Sequence, residues 1–145
     1  MRHDATTVPT LPLLKRMLPL LALTLLALAS VTFADEKAIG PNGGQIKDAG
    51  KHHLELVVKE NALTVYVTDA KSQKIMIKGA SGTATVLAGK NTANVKLEPS
   101  GENALAGSGR FETAPDMKVV VSLTLPGENP VQARFTPLEK AKTSK

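Results

Sequence analysis

Residues 53 to 68 read HLELVVKENALTVYVT, and this stretch decides the fold. Leu54, Leu56 and Val58 alternate with His53, Glu55 and Val57; beyond Lys59-Glu60-Asn61-Ala62, Leu63, Val65 and Val67 alternate with Thr64, Tyr66 and Thr68. A side-chain period of two marks strands with one buried face. A two-residue turn at Glu60-Asn61 sets Val58 against Leu63, Leu56 against Val65 and Leu54 against Val67. All six then share one face, an agreement that a slip of one residue would destroy. On the opposite face Glu55 meets Tyr66 and His53 meets Thr68, and at the strand end His52 falls opposite Asp69.

The rhythm continues outward. Ala88-Gly89-Lys90-Asn91 aligns Val86 with Ala93 and Ala84 with Val95, and Pro126-Gly127-Glu128-Asn129 aligns Leu123 with Val131 and Val121 with Ala133. Ile75 and Ile77 add a shorter strand with Met76 facing away from them, whereas Gly107-Ser108-Gly109 reads as a turn. Val, Ile and Thr dominate these runs, as strands prefer. Short strands separated by Gly and Pro signals predict an all-β domain over residues 45–136. The expected form is a two-sheet antiparallel β-sandwich, immunoglobulin-like, of about seven to nine strands. Its core is expected to be aliphatic, because the aromatics beyond residue 34 are Tyr66, Phe111 and Phe135.

Residues 17–34, MLPLLALTLLALASVTFA, follow Lys15 and Arg16 and carry no charge. A basic flank, an apolar run and a small-residue exit predict a secretory signal peptide over 1–34, cut before Asp35, with Thr32 and Ala34 at the recognised positions. The expected location is the periplasm. Residues 35–44 then form a lead-in loop and 137–145 a disordered tail. Beyond residue 34, 15 Lys/Arg stand against 12 Asp/Glu, a net charge of +3 with the lysines scattered. That argues against nucleic acid as a partner, and no second apolar stretch approaches the length of a membrane span. With no cysteine in the chain, disulfides, zinc thiolates, iron–sulfur clusters and thiol nucleophiles drop out.

Candidate chemistry gathers in GPNGGQIKDAGKHHLEL, residues 40–56. Imidazole and carboxylate are ligands for copper or zinc. His53 and Glu55 share a strand face, with Cβ atoms roughly 7 Å apart. His52 points to the other face, where Asp69 is its cross-strand neighbour. His53, Glu55, His52 and Asp69 are therefore the candidate metal ligands; the competing reading is a strand-end histidine bonded to a carboxylate or to water. Gly-x-Ser-x-Gly, phosphate-loop and His-Glu-x-x-His motifs are absent from the sequence, so no enzyme is expected.

Gly40-Pro41-Asn42-Gly43-Gly44, followed by Gly50, His53, Glu55 and a strand-rich remainder, resembles the small N-terminal domain of periplasmic adaptor subunits of heavy-metal efflux pumps of the resistance-nodulation-division class. It also resembles short stand-alone periplasmic proteins of Gram-negative bacteria that carry the same domain. The resemblance covers about residues 40–136. Family members often read Gly-Pro-His-Gly-Gly, and Asn42 stands here where that histidine would be. The helical hairpin, lipoyl-like and barrel parts of a full adaptor are not expected within these 145 residues. The resemblance implies a heavy-metal-resistance setting, with an efflux-pump or envelope component as partner. The expected role is a non-enzymatic binding or accessory module for transition-metal handling. The alternative is a protein–protein interaction domain of the envelope that binds no metal.

Overall fold

The computed structural model describes residues 38–140; the expected signal peptide and residues 141–145 lie outside the described residues. Eight strands follow one another: β1 (Gln45–Ala49), β2 (His52–Lys59), β3 (Ala62–Asp69), β4 (Ser81–Ala88), β5 (Asn91–Pro99), β6 (Ala104–Ser108), β7 (Lys118–Thr124) and β8 (Val131–Phe135). Every neighbouring pair is antiparallel. The three expected hairpins have the expected registers, with Leu56 opposite Val65, Val86 opposite Ala93 and Val121 opposite Ala133. Their turns suit the tight reversal, since Gly89 and Gly127 take positive φ. Glu60 adopts φ 50° in the first turn, a conformation that costs a residue with a Cβ.

The strands do not separate into the two sheets expected. They form one continuous sheet in the order β1-β2-β3-β6-β5-β4-β7-β8. The reason lies in β5, whose residues up to Leu97 pair with β4 while Glu98 and Pro99 pair with β6. A single long strand thus serves both halves, and the natural coiling of the sheet brings its ends together. Where they approach, Thr136 N–H donates to Gln45 Oε1 at 2.8 Å, and Gln45 is itself buried. The sheet is therefore nearly closed and barrel-like. The connections β3→β4 and β6→β7 each cross strands, which makes two overlapping Greek keys around the trio β4-β5-β6.

The interior is aliphatic. Leu54, Leu56, Leu63, Val65, Val67, Val121 and Leu123 are fully enclosed, with Phe135 and Met117 among them. Each such side chain contributes about 1.5–3 kcal/mol by leaving water. Two local expectations fail. Gly107-Ser108 is not a turn but the end of β6, which pairs with both β3 and β5. A Cβ on Gly107 would strike the Lys96 carbonyl oxygen, so a glycine there serves close strand approach. Ile75–Ile77 is not a strand: Thr68 and Lys74 share an isolated bridge, after which Ile77 turns inward and Met76 stays 73% exposed.

Candidate functional site

Strands β1 to β3 lay two rows of side chains across the outer face of the sheet. One row is Ile46–Glu55–Tyr66 and the other Asp48–His53–Thr68. The turn at residues 40–44 folds over the first row. With Lys74, Ser72 and Asn103 on the far side, it encloses a groove of about 460 Å³.

The turn is built on hydrogen bonds of its own. Gly40 N–H donates to Gly44 O at 2.8 Å, and Gly43 N–H to Gly40 O at 3.0 Å. Gly43 has φ +79°, which glycine takes without steric cost. Ile46 N–H reaches Ala38 O, so the lead-in segment folds back along β1. The turn then closes on a carboxylate. Glu55 Oε1 accepts from Asn42 N–H at 2.8 Å and Gly44 N–H at 2.9 Å, while Oε2 accepts from Asn42 Nδ2 at 2.8 Å. A Cβ on Gly40 would land on the Glu55 carboxyl group, and one on Gly44 on the Leu56 carbonyl oxygen. Glu55 points away from the core yet is only 5% exposed, because this turn covers it. Three donors on one carboxylate are charge-assisted bonds of the stronger kind. The Gly-Pro-Asn-Gly-Gly…Glu pattern thus acts as a latch, with Asn42 supplying two of its three donors.

His53 stands one row further along. Its Nδ1 lies 2.6 Å from Asp48 Oδ1; the imidazole is 32% exposed and the carboxylate 81%. A carboxylate at Nδ1 selects the tautomer with the proton there, and Nε2 then carries the free lone pair. Nε2 has no hydrogen-bond partner among the described residues.

The other expected ligands have separate partners. His52 is 4% exposed, and its Nε2 lies 2.6 Å from Glu128 Oε2, while Lys51 Nζ lies 3.1 Å from Glu128 Oε1. Hydrogen bonds from His52 and then Lys51 hold the Glu128 carboxyl below its ordinary range. This pairing ties the β1–β2 turn to the β7–β8 turn, and His52 Nδ1 remains buried without a partner. Asp69 is opposite His52 in register, but its Oδ1 accepts from Lys71 N–H and Gln73 N–H, both at 2.8 Å. That arrangement is an Asx turn closing its own loop. Among the described residues, no three His, Asp or Glu side chains converge to hold a metal ion.

Of the four candidate ligands, His53 and Glu55 line the groove, and His53 alone of these two keeps a ring or carboxyl atom without a partner among the described residues; its companion Asp48 was absent from the sequence reading. The signal for Asp48 was available. Ala49-Gly50-Lys51-His52 is a two-residue hairpin turn with Gly50 at φ 65°, and it places Asp48 opposite His53. No protein-family model, curated protein or solved structure matches the chain.

Proposed function

We propose that the chain is a non-enzymatic periplasmic binding module for transition-metal handling, and that the groove over β1–β3 is its binding surface. The supporting observation is His53, which lines the groove, is oriented by Asp48 through Nδ1, and has no partner among the described residues at Nε2. Copper or zinc is the ion this donor suits. With His53 as the one ligand from this chain, oriented by Asp48 from the far edge of the ring, most of the coordination sphere is left to water or to donors from a partner, an efflux-pump or envelope component. Such a site exchanges its ion readily, as a carrier requires. The resemblance of residues 40–56 to the adaptor domains of heavy-metal efflux pumps supports the same setting. On this reading the barrel-like sheet is a variant of an immunoglobulin-like sandwich, with leaves β1-β2-β3-β6 and β5-β4-β7-β8 joined at the β5–β6 step.

One observation favours a second reading. The Glu55 carboxylate is held by three donors of the turn, so the residue best placed to join His53 is engaged in structure. A groove of this kind also suits a protein partner without metal. Calorimetric titration with Cu(II) and Zn(II) separates the two. Binding at about pH 7.5 that weakens at about pH 5.5, where a proton competes for the imidazole, supports the metal reading. That binding disappears in His53→Ala. The absence of any heat with either ion overturns the metal reading and favours the interaction-domain one.

A further inference from the structure

A second groove lies on the outer face of β4, β7 and β8, with a volume of about 520 Å³. It too is built from two rows: Thr85–Val120–Arg134, and Thr92–Leu87–Lys118. Outward positions of an exposed sheet are ordinarily polar. Here Leu87 is 41% exposed and Val120 is half-buried beside it, forming an apolar strip between neighbouring strands. Threonines flank that strip on one side, and Lys118 and Arg134 stand on the other.

The charges of this groove are unbalanced. None of the residues lining it is acidic. Lys118 and Arg134 have no ion-pair partner among the described residues, whereas Lys51, Lys74 and Lys96 each lie against a carboxylate. Asp116, Glu139 and Lys140 line an adjoining hollow that shares Lys118 and Thr136, so carboxylates border Lys118 but not Arg134. An incoming anion is therefore drawn toward Arg134, whose planar guanidinium can grip a carboxylate with two parallel bonds. The size falls in the range of small-ligand sites, with an apolar floor and a few polar groups to fix orientation.

We propose that this groove binds a single-chain carboxylate amphiphile, with its head on Arg134 and Lys118 and its apolar chain over Leu87 and Val120. The inference is independent of the metal reading, because it uses a different face and different residues. The test is a titration of the full chain, as the cell processes it, with sodium octanoate below its micelle concentration, followed by amide chemical shifts and calorimetry. Saturable shifts confined to β4, β7 and β8 are expected, with none from acetate, which lacks the chain, or from octylammonium, which reverses the charge. The double substitution Arg134→Gln, Lys118→Gln is expected to weaken octanoate binding by roughly tenfold or more. An unchanged thermal midpoint shows that the variant is folded; Leu87→Ser provides a second variant, expected to weaken binding through the chain alone. The proposal is overturned if octanoate gives no saturable shift, if octylammonium binds equally well, or if the double variant binds as the wild type does. It is also overturned if phosphatidylglycerol vesicles bind while octanoate does not, since that would mark the face as membrane-docking.

Discussion

The two grooves are made alike and charged differently. Each consists of two cross-strand rows on the outside of the sheet. Over β1–β3 the carboxylates are engaged from within the fold, Glu55 by the 40–44 turn and Asp48 by His53. Over β4, β7 and β8 the cations Lys118 and Arg134 have no counterpart among the described residues. In the first groove polar chemistry has largely been spent on shape, leaving one oriented imidazole. The second groove has kept its charge and has no latch. The difference teaches that a cluster of ligand-type residues in sequence is a poor guide to an available donor, because folding itself competes for lone pairs.

The comparison breaks most severely if the grooves lack a common foundation. Leu56→Ala lies beneath the first and Val121→Ala beneath the second, and they are expected to cost about 2–5 and 1–3 kcal/mol through the cavities left. Both substitutions should lower a single urea transition. Loss of one groove's amide signals before the other's would show two independently melting halves. Glu55→Ala is next, at about 1–3 kcal/mol, because it strands the buried N–H of Gly44 and removes the acceptor of the Asn42 N–H. Hydrogen exchange should quicken at those two amides while β7 and β8 keep their protection.

Acid provides a third probe, aimed at the tie between the halves. The Glu128 carboxyl is depressed in the folded chain, so on acidification the unfolded chain takes up that proton first. Its contribution is present above the ordinary glutamate range and is lost as pH falls through the lower, folded value. In Glu128→Gln this part of the stability curve should flatten, as read from urea midpoints between about pH 7 and pH 3. The smallest stability effect belongs to His53→Ala, under about 1 kcal/mol, since the ring is partly exposed and its partner Asp48 largely so. That substitution sharpens the comparison, for it removes metal binding from the first groove and leaves octanoate binding at the second intact.

What could be read from the sequence was local. Three hairpin registers followed from alternation on both sides of a short turn, where a one-residue slip would turn one strand's apolar side chains away from those of its partner. The sequence ALAGS at 104–108 has no β-branched residue, and β6 is a strand because β3 and β5 hold it from either side. One continuous, nearly closed sheet instead of two could not be foreseen, because it depends on the last two residues of β5 changing partner. At the site, alternation correctly placed His53 and Glu55 on one face. It could not show the turn folding back to occupy Glu55, as those contacts join residues 11 and 13 positions apart and depend on the path of the loop. The partner of His52, Glu128, is 76 positions away and lies beyond any local rule.

The two crossing connections also govern how fast this chain reaches its native state. Once β2 and β3 have paired, β3 presents a bare edge that is not filled until β6 arrives, and β4 waits in the same way for β7. Contacts between residues so distant in sequence form slowly, and sheets of this kind fold in roughly milliseconds to seconds. Throughout that interval the open edges of β3 and β4 are templates for a strand of another chain. Dilution during refolding should therefore raise the yield of native protein more than any substitution that merely strengthens the finished core.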